Sequence, residues 1–145
     1  MINKFHILLL AVCVLGSGLG IGLAAHAEEP ATDGDISAED WSRMAAGRTL
    51  TYMIGDAFFA LEHYHLTGPG VTIQLADGRC MAGTWQHRDR QYCYVWEGNA
   101  PVCFRHIRSG GEILILQLEN GVETGDIQVM TGVSDAPLIC DGLVS

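Results

Sequence analysis

From Arg48 to Met130 the chain is cut at close intervals by residues suited to tight reversals: Gly68-Pro69-Gly70, Asp77-Gly78, Arg88-Asp89, Gly98-Asn99, Gly110-Gly111 and Asn120-Gly121. Glycine, asparagine and aspartate tolerate the left-handed backbone that two-residue hairpin loops require, and Asn-Gly is the strongest such signal. Between the reversals lie short runs of strand-forming residues. Strands are expected at Thr49–Ile54, Phe59–Leu66, Val71–Leu75, Cys80–His87, Gln91–Trp96, Val102–Arg108, Glu112–Leu118 and Glu123–Met130. Consecutive short connections imply a mainly β domain, an antiparallel meander of about eight strands forming a small barrel or sandwich. Closure into a barrel would remove the exposed edges.

What precedes this region divides in three. Residues 1–27 read as a signal peptide, with Lys4 as the basic start, an apolar run from Ile7 to Leu15 and a small-x-small cleavage site at Ala25-His26-Ala27. An uncleaved anchor is the alternative, disfavoured by four glycines in the apolar segment, and Cys13 lacks the setting of a lipoprotein signal. Residues 28–36 (EEPATDGDI) form an acidic, flexible lead-in, and 37–145 a single domain. Within it, Ser37 with Asp40 three residues on makes a helix start, and Trp41, Met44 and Ala45 recur at helical spacing before Gly47. One short helix is expected at Ala38–Ala46.

Without its signal the chain has 118 residues, with seven arginines and no lysine against 17 acidic residues, a formal charge of −10. That surface repels phosphate backbones and anionic lipid heads, so nucleic acid is excluded as a partner and no stable membrane insertion is expected after cleavage. The location implied is periplasmic or secreted.

Four cysteines remain after cleavage, an even number that in an exported chain argues for two disulfides, with three connectivities open. Free thiols are the alternative. A zinc site is poorly supported, since no close C-x-x-C pair exists. The stretch Gly78–Ile107 holds three of the four and two of the three tryptophans. If Arg88-Asp89 is a two-residue loop, Trp85 faces Tyr92, Gly83 faces Tyr94 and Met81 faces Trp96. In the next hairpin, around Gly98, Tyr94 meets Val102, Tyr92 meets Phe104, and Cys93 lies opposite Cys103. A bridge there needs no distortion of a close, non-hydrogen-bonded pair. Cys93–Cys103 and, by remainder, Cys80–Cys140 are the pairings expected, the second tying an irregular tail from Thr131 onward to the sheet.

The same register places Met81, Trp85, Tyr92, Tyr94, Trp96, Phe104, His106, Ile113 and Ile115 on one face, expected to be the interior because exposing that much aromatic surface is costly. Leu114 and Leu116 would lie outside, with the helix as their cover. A one-residue bulge would exchange the faces.

Asp77-Gly78, Gly83-Thr84-Trp85, Cys93-Tyr94-Val95-Trp96 and Cys103, preceded by Gly47-Arg48-Thr49-Leu50, resemble the pattern of a loose group of short exported proteobacterial proteins of unknown function, DG…GTW…CxxW…C. The resemblance covers about 70 residues. It implies a lipocalin-like small β-barrel and assigns no activity.

Two sets of residues are candidates for binding. His63 and His65 project to one face of a strand about 7 Å apart, a spacing at which two imidazoles share Zn²⁺ or Cu²⁺, but His87 or His106 would have to complete the site. Trp85, Tyr92, Tyr94, Trp96, Phe104 and His106 would line an interior pocket, with Arg105 and His106 at its mouth, unless bulky side chains fill an eight-stranded barrel completely. No G-x-S-x-G, H-E-x-x-H or paired-carboxylate arrangement is present, and the disulfides would consume the cysteines. The chain is therefore not expected to be an enzyme or to need a cofactor. The leading expectation is a non-catalytic periplasmic binding module for a protein or envelope component, an enzyme inhibitor being one form of it. The alternative is a small-ligand or metal carrier.

Overall fold

The computed structural model describes residues 33–140, so the expected signal peptide, residues 28–32 of the lead-in and the last five residues lie outside it. Nine strands and one helix follow in order: β1 (Gly34–Asp35), α1 (Ala38–Ala45), β2 (Thr49–Ile54), β3 (Ala57–Tyr64), β4 (Gly70–Leu75), β5 (Cys80–Arg88), β6 (Gln91–Trp96), β7 (Val102–Ser109), β8 (Glu112–Glu119) and β9 (Val122–Ser134). Strands β2 to β9 pair each with the next, and β9 pairs back on β2, closing an eight-stranded antiparallel barrel. Among the described residues no helix is long and apolar enough to cross a membrane.

Closure depends on the segment expected to be an irregular tail. Strand β9 runs on past Met130 to Ser134, with Leu50 opposite Val133 and Thr49 opposite Ser134. Its alternation is weak because Gly132 interrupts it, and its partner is about 80 residues away in sequence, so only the tertiary pairing makes it a strand. Beyond Ser134 the chain crosses the outside of the barrel. The Thr49 hydroxyl donates to the Ala136 carbonyl, Gln74 donates to the Ile139 carbonyl, and Cys140 is bonded to Cys80.

The second disulfide joins Cys93 to Cys103, directly opposite in β6 and β7 with Cα atoms 4.0 Å apart, and Tyr92 faces Phe104 and Tyr94 faces Val102 as expected. The β5–β6 hairpin differs. Its loop is Asp89-Arg90, both residues at positive φ (50° and 64°), so Trp85 faces Tyr94, Gly83 faces Trp96 and His87 faces Tyr92. The pairing is displaced by two residues, which preserves the faces, and the aromatic side is the interior. An arginine in left-handed backbone is a weak turn signal, so the sequence pointed one residue early.

Helix α1 starts where expected, with the Ser37 Oγ accepting from the Asp40 amide at 3.1 Å. Contrary to the expectation from sequence, it does not cover Leu114 and Leu116. Instead Trp41, fully buried, enters the barrel end formed by the β3–β4, β5–β6 and β7–β8 turns and packs against Tyr64, Tyr92 and His106. Leu116 faces outward, flanked by Arg105 and Ile127, and is nonetheless 8% exposed. The end of the lead-in is ordered too: Gly34–Asp35 pairs with β7 where β6 has stopped, Ile36 donates its amide to the His106 carbonyl, and Tyr92 donates its hydroxyl to the Ile36 carbonyl. Asp35 then accepts from Arg105 and Arg90.

Candidate functional site

The barrel has two unlike halves. At the helix end Trp41, Tyr64, Trp85, Tyr92 and His106 form a solid aromatic stack, with Tyr92 and the His106 ring parallel at 3.9 Å. At the other end, where the β2–β3, β4–β5, β6–β7 and β8–β9 connections lie, the interior side chains leave a cavity of about 240 Å³. His106 lines this cavity and touches the stack, so it stands at the partition between the halves.

The cavity walls are apolar and flat. Phe59, Leu75, Met81 and Val102 sit nearest the strand ends, and Tyr94, Trp96 and Phe104 supply ring faces, Tyr94 and Trp96 stacked at 5.7 Å and 9°. Trp96 takes its place because the residue opposite has no side chain. A Cβ on Gly83 would stand 2.6 Å from Trp96 Cε3 and 2.7 Å from the Val95 carbonyl, closer than atoms pack.

The floor is polar and shielded from solvent. Glu62, on β3 between the buried residues Ala60 and Tyr64, points into the cavity and is 9% exposed. Its Oε2 accepts from the Tyr64 hydroxyl at 2.9 Å. The Tyr64 and Tyr94 hydroxyls are 2.8 Å apart, and Tyr94 lies 3.5 Å from His106 Nε2. With Glu62 ionised the chain of donors has one direction: Tyr64 donates to Glu62, Tyr94 donates to Tyr64, and Nε2–H of His106 points to Tyr94. His106 Nδ1 is then a bare acceptor, buried without a hydrogen-bond partner among the described residues.

Burial dominates the electrostatics. It raises the Glu62 carboxyl from 4.5 to about 7, with the hydrogen bonds from Tyr64 and Tyr52 opposing the rise. The same desolvation holds the Tyr52, Tyr64 and Tyr94 phenols well above their ordinary value and the His106 imidazole well below its own, the last also through His87. Across the neutral range these four groups are uncharged and Glu62 alone changes state. Among the described residues no arginine lines the cavity. A carboxyl buried without a cation is costly to fold around, and such groups concentrate at functional sites.

Of the residues expected to form a pocket, Tyr94, Trp96, Phe104 and His106 line the cavity, while Trp85 and Tyr92 belong to the solid half. Arg105 is not at the mouth. It faces outward, bonded to Asp35 and, at 2.9 Å, to Glu123. Sequence reasoning missed Glu62, Tyr52, Gln117 and Gln128. The signal is alternation, since Glu62 shares the parity of the buried Ala60 and Tyr64, whereas His63 and His65 have the other parity.

Those two histidines lie outside the cavity. The Thr49 hydroxyl, already donating to Ala136, accepts from His63 Nδ1 at 3.0 Å, which leaves the His63 Nε2 lone pair free. Burial and the nearby His65 both lower the His63 pKa. His65 lies over Gly70, where a side chain would clash with its ring. Neither His87 nor His106 joins them, and among the described residues no group of three or more metal-binding side chains forms. No family model, curated protein or solved structure matches the chain.

Proposed function

We propose that this is an exported, non-catalytic binding protein whose ligand is a small molecule held inside the barrel, in the half that α1 leaves open. The observation that carries the reading is the pairing of an apolar cavity with one uncompensated buried carboxyl at its floor. Concave apolar sites with a few convergent polar groups are what small ligands use. A protein gaining only stability from its interior would place leucine or phenylalanine at position 62, because a buried carboxyl opposes folding. The two disulfides support a rigid container, since Cys93–Cys103 joins the strands that carry Tyr94, Trp96, Phe104 and His106, and Cys80–Cys140 fastens the outer strap beside Met81. Recognition of a protein or envelope component, the leading expectation from sequence, has less support, because the described aromatic residues other than the exposed Phe58 are buried or half-buried.

The test is binding of small aromatic and aliphatic compounds followed through tryptophan fluorescence, since Trp96 lines the cavity. Compounds of suitable size are expected to quench or shift the emission saturably and raise the unfolding temperature. Val102→Phe, which fills the mouth, is expected to abolish both. Binding indifferent to Val102→Phe would place the ligand elsewhere and refute the reading.

A further inference from the structure

We infer that the ligand is a small aromatic amine, bound as its ammonium ion with the cationic end at Glu62 and the ring between Trp96 and Phe104. This rests on the interior-binding reading above and assigns the class of molecule. Three observations converge on it.

The first is charge. Among the described residues Glu62 is the only group lining the cavity that ionises near neutrality, and no arginine lines any wall. A carboxylate ligand would meet a like charge with nothing to offset it, and a neutral alcohol would leave the charge of the carboxylate uncompensated. An ammonium carries three donors, no acceptor and the positive charge that an ionised Glu62 lacks. Tyr64 and Tyr52 donate to Glu62, and an ionised carboxylate, with roughly four lone-pair sites, keeps acceptor capacity for an ammonium beside them.

The second is shape. About 240 Å³ corresponds to roughly eight waters at ~30 Å³ each, the room of a single ring with a two-carbon arm. The faces of Tyr94, Trp96 and Phe104 favour a flat ring over a branched aliphatic chain, and their negative π-faces attract a cation.

The third is the proton balance. Below neutrality Glu62 holds a proton that must leave when an ammonium docks: the carboxylic acid and the ammonium ion give a carboxylate–ammonium pair and one proton released to solvent. The groups facing Glu62 are Tyr52 from β2, Tyr64 on its own strand, Tyr94 from β6 and His106 from β7, with His87 of β5 behind His106. Burial raises the three phenols and lowers His106, so each is held toward its neutral form and the coupling belongs to Glu62. With its carboxyl at about 7, affinity for an ammonium is expected to be about 30-fold weaker at pH 5.5 than at pH 8.

The experiment is calorimetric titration of the oxidised protein with 2-phenylethylamine, 2-phenylethanol and phenylacetate at pH 5.5 and 8, in two buffers of different ionisation enthalpy. Expected are an affinity for the amine at least tenfold above the other two at pH 8, a loss of about 30-fold at pH 5.5, and close to one proton released per amine at the lower pH. Glu62→Gln is expected to bring the amine down to the level of the alcohol at both pH values, and Val102→Phe to exclude all three. If the alcohol or the carboxylate binds as tightly as the amine, or the affinity for the amine does not change with pH, the amine assignment is wrong while interior binding stands. If none of the three binds and Trp96 fluorescence does not respond, the interior-binding reading falls with it.

Discussion

Glu62→Gln isolates the cost of the buried carboxyl. A carboxyl raised from 4.5 to about 7 on folding binds its proton more tightly in the folded state, so stability is greatest when the group is protonated. It is fully present below about pH 4.5 and is lost as pH rises through 7. The whole shift corresponds to about 3 kcal/mol. Integrated over pH, the folded wild type carries a penalty of about 1 kcal/mol at pH 5 and about 3 kcal/mol at pH 8. Glutamine keeps an acceptor for the Tyr64 hydroxyl but cannot ionise, so whatever its amide costs is the same at every pH. Urea denaturation with disulfides intact, on both proteins at pH 5 and pH 8, should show the variant gaining about 2 kcal/mol on wild type between the two conditions. That is a relative displacement of the midpoint on the order of 1–2 M. His106 titrates in the opposite sense: its folded pKa is depressed, so its contribution is present above about pH 6.5 and lost on acidification. It is common to both proteins and cancels in the comparison. Wild-type and variant stabilities that stay parallel across pH would refute the claim that Glu62 is buried and uncompensated.

Further outcomes follow from the same geometry. Gly83→Ala forces a Cβ against Trp96 and the Val95 carbonyl and should cost about 1–3 kcal/mol with a changed near-ultraviolet circular dichroism signal; an unchanged spectrum would mean that Trp96 does not lie over Gly83. Trp41→Ala empties the plug of the helix end and should cost about 3–5 kcal/mol. By admitting water it should also move the His106 pKa up toward its ordinary value, which imidazole proton resonances would report. Replacing Cys93 and Cys103 by serine opens a ten-residue separation, and replacing Cys80 and Cys140 one of sixty. Guanidinium unfolding should register losses of about 3 and about 4 kcal/mol respectively on the loop-entropy model, and the reverse order would argue that strain outweighs chain entropy.

Much of the fold was legible because its determinants are local. Asn120-Gly121 and Gly110-Gly111 adopt the left-handed backbone of hairpin loops as expected, and the alternation from Tyr92 to Ile115 identified the interior face correctly. The Cys93–Cys103 pairing was readable by counting outward from the Gly98 turn, and Cys80–Cys140 followed as the remaining pair. The Asp89-Arg90 loop was misplaced by one residue because aspartate suits either loop position, and the pairing of Trp85 with Tyr94 follows from which one the folded hairpin selects. Strand β9 beyond Met130 and the pairing of Gly34–Asp35 with β7 had no local signal, since both segments are held by partners far away in sequence.

The site divides along the same line. Sequence alone determined that aromatic side chains face inward, that the sheet is an antiparallel meander, and that few cations are available anywhere in the chain, because alternation, turn chemistry and composition act within a few residues or over the whole sequence at once. Only the tertiary structure decided that Trp41 enters one end of the barrel rather than lying on its side, that Trp85 and Tyr92 are consumed in that plug, and that Glu62 is left at the bottom of the remaining space. Those outcomes depend on closure, which fixes how much volume the eight strands enclose and which side chains from opposite walls must share it.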